Sequence, residues 1–446
     1  MKIVIAGAGQ VGSHLARMLS DEVHDIVVID DDPKNIENVS GFADIITITG
    51  DATTFEALTK AEVSKANLFI AVGPVESKNI IAATLAKQLG AKKSIARIDN
   101  DEYLRPNNNE IFINMGIDYL FYPEMVAAGE VITLLGNTGT SEYVNFSGGK
   151  LSLVVFKLES SSPLIDHTLA EMTARAGKMN YRTVAISRKG KTIIPTGSDY
   201  FKEEDTIYII TDHKSMNELL ALSGRDNVKV RNMMILGGSK IGQRVALSLQ
   251  NQVNVKLVDY NEEKAHKLAE MLDHTLVIAE DGRNTEAMIE EDLGSMDAFV
   301  AVTGRSETNI LAAMLAKKMG VKKVIAEIEN INYISLAESM GIDTIINKKL
   351  TTASSIFRFT MNTDVQAIKC LNGCDAEVLE FIAKPDSHIT KMPLRDVHFT
   401  AGATVGGVVR GDKVFIATGD TEIKAYDRVV VFSLPDAISK IGRFFE

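Results

Sequence analysis

Three glycines near the start of the chain are the first residues whose type and spacing suggest chemistry. Gly7, Gly9 and Gly12 stand in Ile5-Ala6-Gly7-Ala8-Gly9-Gln10-Val11-Gly12, directly after the apolar run Lys2-Ile3-Val4-Ile5-Ala6. Glycines so spaced between a strand and a helix permit a tight turn, close approach of a pyrophosphate and close helix–strand packing. The helix N-terminus then offers unpaired backbone N–H groups to phosphate oxygens. Asp30 ends the next apolar run, where a carboxylate accepts hydrogen bonds from both ribose hydroxyls of an adenosine. Asp31 and Asp32 add negative charge that repels a 2′-phosphate, which favours NAD(H) over NADP(H).

Two more strand ends add to the constellation. Gly50-Asp51-Ala52 and Gly73-Pro74 each close an apolar run, and open parallel sheets bind ligands at such ends. Asp51 is suited to accept from an adenine amine, with Ala52 leaving room for the ring; its alternative role is a helix N-cap. Glu76 and Asn79, at the start of the next helix, carry the same two readings. Arg97 ends a further apolar run and needs a counter-charge, either a bound pyrophosphate or an acid such as Asp99.

The pattern recurs 230 positions later as Gly237-Gly238-Ser239-Lys240-Ile241-Gly242. Asp51 aligns with Asp281, Asn79 with Asn309 and Ile95-Ala96 with Ile325-Ala326 at the same offset. A repeat of this length implies two nucleotide-sized pockets in one polypeptide. They are unequal. Asp259 keeps the place of Asp30, but Ser239 replaces the middle glycine and Glu327 replaces Arg97, exchanging a phosphate clamp for a carboxylate. The second pocket therefore binds nucleotide weakly, differently or not at all.

Residues for turnover are harder to find. A dehydrogenase, the rival reading, needs an acid or base beside the nicotinamide. Residues 141–222 hold only His167 and His213 as histidines, with no Lys/Tyr or His/Asp pairing. His14 and His24 read as surface residues. Cys370 and Cys374 flank Leu-Asn-Gly without a nearby histidine, so two reduced thiols around a turn are expected and no metal site.

The elements that must position these residues alternate. Apolar runs at residues 2–6, 25–29, 45–49, 68–72, 94–98 and 119–122 are separated by helical patterns, clearest at 78–89, with Pro33 in a helix first turn capped by Asp32. Such alternation implies a parallel sheet with right-handed crossovers. A longer helix over 124–135 reads as a crossover or a subunit contact, and Gly136-Asn137-Thr138-Gly139-Thr140 as a linker. Short strands then follow at 151–157, 183–187, 192–195 and 206–210, with a helix over 168–175 and a tight turn at Arg188-Lys189-Gly190-Lys191. The second half repeats both textures, and residues 104–110, which shift the register of the repeat, are expected as a surface excursion. The fold class is α/β: two Rossmann-like doubly wound parallel-sheet domains at 1–135 and 230–360, each followed by a small α+β module at 140–225 and 366–446.

The 446 residues carry a net charge of −11, which disfavours nucleic acid and anionic lipid as partners. No run of about 18 apolar residues suggests a membrane span, and the N-terminus does not read as a signal peptide. Two cysteines suit a reducing cytoplasm.

The glycine motif, Val27-Val28-Ile29-Asp30, Gly50-Asp51-Ala52-Thr53, Ala66-Asn67-Leu68-Phe69-Ile70-Ala71-Val72 and Ala96-Arg97-Ile98 together resemble the RCK (KTN) domains that regulate potassium channels and transporters. Two in tandem, each followed by an RCK C-terminal module, are similar to the peripheral regulatory subunits of bacterial potassium uptake systems. The resemblance implies a nucleotide site on Gly7, Ala8, Gly9, Gln10, Val11, Gly12, Asp30, Asp51, Ala52, Gly73, Pro74 and Arg97. It implies a second on Gly237, Gly238, Ser239, Lys240, Ile241 and Asp259. It also implies NAD+ or NADH as ligand, often with ATP or ADP, no catalysis, a dimer or tetrameric ring, and a Trk-type membrane potassium translocator as partner. The place implied is the cytoplasm, peripheral on the inner face of the plasma membrane through that partner.

Overall fold

The structure is a computed structural model that describes residues 1–20, 24–41, 44–175, 180–223, 227–342, 344–357, 359, 365–371, 374 and 376–446. Strands β1 (Lys2–Ala6), β2 (Asp25–Asp30), β3 (Ile45–Thr49), β4 (Leu68–Ala71), β5 (Lys93–Arg97) and β6 (Tyr119–Phe121) form a six-stranded sheet ordered β3-β2-β1-β4-β5-β6. Every pairing is parallel, with Ile3 opposite Ile26 on one side and Leu68 on the other. Parallel neighbours need crossovers, supplied by helices α1 (Gln10–Ser20), α2 (Pro33–Ser40), α3 (Phe55–Lys60), α4 (Glu76–Gln88) and α5 (Pro106–Asn114). As expected, Asp32 caps α2 by accepting from Lys34 N, with Pro33 in the first turn. Small residues on α4 (Ala82, Ala83 and Ala86) let it lie close to Val4, Phe69 and Ala71. The strand order reverses between β1 and β4, which opens a crevice at their carboxyl ends. The excursion expected at residues 104–110 is helical: Pro106 starts α5, which buries none of its residues fully.

The next helix, α6 (Pro123–Gly136), leads to an antiparallel sheet of β7 (Glu142–Phe146), β8 (Leu151–Lys157), β9 (Tyr181–Arg188), β10 (Lys191–Ile193) and β11 (Thr206–Asp212), ordered β10-β9-β11-β8-β7. Helices α7 (Leu169–Arg175) and α8 (Met216–Ser223) accompany it. The expected tight turn joins β9 to β10, with Lys189 and Gly190 both at positive φ.

The second half repeats this order. Its parallel sheet holds β12 (Asn232–Leu236), β13 (Asn254–Asp259), β14 (Thr275–Ala279), β15 (Ala298–Ala301), β16 (Lys323–Glu327) and β17 (Ile345–Ile346), ordered β14-β13-β12-β15-β16-β17. Helices α9 (Lys240–Leu249), α10 (Glu262–Met271), α11 (Thr285–Glu290), α12 (Ser306–Lys318) and α13 (Ile334–Ser339) go with it, and α14 (Lys348–Phe357) follows in the chain. A last antiparallel sheet contains β18 (Val365–Cys370), β19 (Glu377–Ile382), β20 (Ala403–Arg410), β21 (Lys413–Ile416) and β22 (Arg428–Ser433), followed by α15 (Pro435–Ile441).

Compact units do not follow the repeat. One comprises Met1–Val126 with Lys349–Thr360; the other comprises Ala127–Lys348 with Met361–Glu446. In the first, the Phe359 ring lies 5.1 Å from that of Tyr119. In the second, the long helix read as a crossover or subunit contact packs Ala127, Val131 and Leu134 against Met233, Ile241 and Val245. The two antiparallel sheets of that unit share one apolar core, in which Leu153, Val184 and Ile210 meet Val378, Val409 and Phe432.

Each antiparallel sheet carries the same polar lock. Arg188 donates through Nε and Nη2 to the two carboxylate oxygens of Asp205, both at 2.7 Å, and Lys202 N donates to Asp205 at 2.9 Å. Arg410 does the same to Asp427 at 2.8 and 2.7 Å, with Lys424 N at 2.7 Å. Both aspartates are 1% exposed. A buried carboxylate is tolerated because its oxygens are met by charged and backbone donors together.

The side chain of Cys370 and residues 372–373 and 375 lie outside the described residues, and Cys374 is half-buried. The domain limits expected at 225 and 360 also lie outside the described residues.

Candidate functional site: two strand-end pockets

The glycine turn separates packing from ligand space. Gly7 has φ +106°, and a Cβ there would lie 2.7 Å from Gly73 N. A Cβ on Gly12 would lie 1.8 Å from the Gly7 carbonyl oxygen, so a side chain is excluded by the turn itself. Gly9 differs: a Cβ there meets nothing within 4 Å. Packing accounts for Gly7 and Gly12, whereas the space beside Gly9 is open. Gly9→Ser is accordingly expected to leave the unfolding midpoint almost unchanged while weakening dinucleotide binding. Thermal melts and calorimetry on the same variant check this, and a large fall in melting temperature would return Gly9 to a packing role.

Asp30 ties the turn to the sheet. It is 8% exposed; Oδ2 accepts from Ala8 N at 2.5 Å, while Oδ1 accepts from Asp32 N at 2.8 Å and Asn35 Nδ2 at 3.2 Å. The carboxylate is thus held at the crevice beside the turn. The crevice is a cavity of about 120 Å³ walled by Gly7, Asp30, Asp51, Ala52, Gly73 and Pro74 among others. Ala8, Gly9, Gln10, Val11 and Gly12 form the turn and the start of α1 and are not among its walls.

Asp51 is not the N-cap of α3; Thr54 is, accepting from Ala57 N. Asp51 instead accepts from Thr53 N at 2.9 Å, from Thr53 Oγ1 at 2.8 Å and from Lys78 Nζ at 2.9 Å. The Thr53 bonds first, and then Lys78, lower its pKa to about 2. Lys78, which sequence reasoning passed over, also reaches Asp31 at 3.0 Å and so bridges two acids on different loops. Because the folded pKa lies below the ordinary 3.8, Asp51 contributes stability above about pH 4 and loses it as the pH falls toward 2. Removing the cation in Lys78→Ala should raise the Asp51 pKa part of the way back, since the Thr53 bonds remain. A carboxyl-carbon NMR titration measures it, and an unmoved titration would refute the bridge.

Two further side chains brace the crevice. Asn79 accepts from Gly73 N at 2.8 Å and donates to the carbonyls of Gly73 (2.9 Å) and Arg97 (3.0 Å), clipping the ends of β4 and β5 together. Glu76 accepts from Asp99 N at 2.5 Å and Asn100 N at 2.7 Å. Arg97 stands apart from the cavity walls. Its Nη2 lies 3.2 Å from Glu124 and 3.6 Å from Asp99, so Glu124, which the sequence did not single out, is its nearer counter-charge.

The second pocket is larger, about 350 Å³, and Gly237, Ser239 and Asp259 line it while Gly238, Lys240 and Ile241 do not. Gly237 repeats the positive φ of Gly7 at +108°, and Ser239 caps α9 by accepting from Gly242 N at 3.3 Å. The replacement of the middle glycine therefore gains a helix cap. Asp259 accepts from Gly238 N at 2.8 Å, Asn261 N at 3.0 Å and Lys264 Nζ at 2.7 Å. Burial works to raise its pKa, but these bonds outweigh it and hold the carboxyl below its ordinary range. Glu327, 2% exposed, pairs with Lys348 at 3.0 Å. At the ends of β5 and β16 the two halves thus hold oppositely oriented ion pairs. Asn309 repeats the clip of Asn79, donating to the carbonyls of Thr303 at 3.1 Å and Glu327 at 2.8 Å.

Comparison with known proteins agrees with the repeat. Residues 3–123 and 233–348 match the TrkA-N domain, and residues 153–224 and 378–446 match the TrkA-C domain. The chain is similar to a Trk system potassium uptake protein TrkA from Vibrio alginolyticus, 31% identical over 439 residues, 97% of this chain and 95% of the relative. It is similar to another of that description from Halomonas elongata, 32% identical over 451 residues, 100% of this chain and 99% of the relative. Among solved structures it resembles the GsuK RCK domain (TM-score 0.62, 14% identity, 98% of this chain and 93% of that chain). It also resembles the GsuK channel bound to NAD (TM-score 0.61, 15% identity, 100% of this chain and 78% of that chain). At those identities the likeness is one of fold.

Proposed function

Because this chain belongs to the family of tandem TrkA-N and TrkA-C domains, we propose that it is a nucleotide-sensing regulatory subunit that gates potassium uptake by a Trk-type membrane translocator. The observation that carries this reading is the match of the whole domain order, over nearly the full chain, to potassium uptake proteins of the same length. The first pocket supports NAD(H) as ligand. Gly9 leaves open space where a diphosphate would lie, and Asp30 is already fixed at the ribose position by Ala8 N. Asp30, Asp31 and Asp51 outnumber the one cation, Lys78, that bridges two of them, and the excess negative charge opposes a 2′-phosphate. If the ligand were bound, the turn from Gly9 to Gly12 would hold its diphosphate through backbone N–H groups, and Asp30, held by Ala8 N, its ribose. ATP or ADP would use the same turn.

The proposed role is gating by population shift and not turnover. A ligand moves the balance between two arrangements only by its differential affinity for them. A coupling of about 1–3 kcal/mol changes partner affinity or opening several-fold to a hundredfold. Self-association fits the surface. Ile81 on α4 and its repeat equivalent Leu311 on α12 are 48% and 67% exposed, and Ile111 and Leu336 on the following helices are also exposed. Apolar side chains left in water at equivalent places on both halves suit a homo-oligomeric ring or dimer. The chain would then sit in the cytoplasm against the membrane through its translocator; among the described residues no helix is long and apolar enough to cross. Co-purification from native membranes tests the partner: recovery of a potassium translocator is expected, and reproducible recovery without one would overturn the reading. The rival dehydrogenase would instead reduce NAD+ in the presence of a metabolite pool.

A further inference from the structure

The two pockets differ in the charge of their walls. The first is walled by the carboxylates of Asp30, Asp31 and Asp51 and by one cation, Lys78. The second is walled by Asp259 and Asp281 and by three cations, Lys264, Arg283 and Arg305. The reversal arises at aligned positions. Tyr260 stands where the first half has Asp31, Arg283 where it has Thr53, and Arg305 where it has Val75. The strand-end acid changes partner too: Asp30 is served by the neutral Asn35, whereas Asp259 is served by Lys264 at 2.7 Å.

The position of the added cations decides what they suit. In an open parallel sheet the diphosphate lies at the glycine turn and the adenosine ribose at the end of the second strand. Arg283 stands near Tyr260 at that strand end, whereas Lys264 spans from the strand-end Asp259, at 2.7 Å, to the glycine turn, with its Cε 3.3 Å from where a Cβ on Gly238 would lie. Arg283 currently holds Asp281 through Nε and Nη2, but both side chains are well exposed, and an exposed ion pair exchanges one acceptor for another at little cost. Tyr260, 78% exposed, offers an aromatic face at the same edge. Resting on the reading of this chain as a nucleotide sensor, we propose that the second pocket binds an adenine dinucleotide with a phosphate on the ribose 2′-oxygen, the NADP(H) class, in preference to NAD(H). Arg283 and Lys264 receive the 2′-phosphate, Arg being the side chain whose planar fork matches phosphate oxygens. One chain thereby reads two dinucleotide pools.

Calorimetry on the full chain with NADP+, NAD+ and ATP tests this, with 2′,5′-ADP and 5′-ADP as competitors. One equivalent of NADP+ per chain should bind roughly tenfold or more tighter than NAD+ at the same site, as expected for one or two charge-assisted phosphate contacts. It should be displaced by 2′,5′-ADP and not by 5′-ADP. The double variant Tyr260→Asp, Arg283→Thr, which installs the first-half residues, should cut NADP+ affinity by roughly tenfold or more. The NAD+ isotherm of the first pocket should stay unchanged, which also reports that the variant folds. Equal or weaker binding of NADP+ than NAD+ at the second pocket overturns the proposal and leaves the proposed function standing. Displacement of NADP+ by ATP but not by 2′,5′-ADP overturns the 2′ assignment in favour of a terminal phosphate. Failure of every nucleotide to bind either pocket overturns the sensing reading as well.

Discussion

Asp30→Ala should weaken NAD(H) binding by roughly tenfold to a hundredfold and flatten the nucleotide dependence of potassium uptake. The carboxylate accepts three hydrogen bonds inside the protein. They fix its orientation before any ligand arrives, so ribose hydroxyls meet an acceptor that needs no reordering. Hydrogen bonds to a charged group are worth about 1.5–3 kcal/mol each, which sets the range of the loss. The substitution also leaves the Ala8 N–H without its acceptor, at a cost of about 1–3 kcal/mol to the fold if no water replaces it. Asp30→Asn separates the two effects. Its amide oxygen can still accept from Ala8 N, but its NH2 group then faces the Asp32 N–H and Asn35 Nδ2 donors, so stability should return only in part, whereas the charge toward the ribose does not return. Calorimetry and potassium flux on both variants provide the measurements. Binding by Asp30→Ala indistinguishable from the parent chain would remove Asp30 from the site.

The second large effect concerns stability alone. Asp427→Ala is expected to destabilise the chain by about 1.5–3 kcal/mol, because it removes the buried acceptor of Lys424 N and of two Arg410 donors, while the partly exposed Arg410 keeps the Glu422 carbonyl. Asp205→Ala should act alike through Arg188 and Lys202. Replacing both members of the pair with apolar residues of similar volume should cost much less than removing the acid alone, since no uncompensated charge then remains. Urea denaturation followed by circular dichroism gives these numbers. A loss below about 1 kcal/mol for Asp427→Ala would show the pair to be no stronger than a surface ion pair.

The parts that were legible in the sequence are those set within a few residues. The strand at residues 2–6, the turn after it, the Asp32 cap before Pro33 and the hairpin at Lys189-Gly190 depend on local sterics, capping and period. The β7 strand was missed because Glu142–Phe146 mixes polar and aromatic residues and lacks an apolar run; it is stabilised by pairing with β8. Residues 104–110 shifted the repeat, and length alone could not show that Pro106 begins a helix within them.

The sequence by itself determined that the chain is duplicated, that each half alternates strand and helix, and that a strand-end acid follows a glycine turn twice. Glycine sterics and apolar periodicity act along the chain, so they can be read from it. Only the tertiary structure decided which charges neutralise one another. Lys78 reaches Asp31 and Asp51 across three separate segments, Arg97 is met by Glu124, and Glu327 by Lys348. Charge interactions act through space, and the strand ends of a parallel sheet bring together loops that are tens of residues apart in sequence. That convergence makes one pocket acidic and the other basic, although the two descend from the same motif.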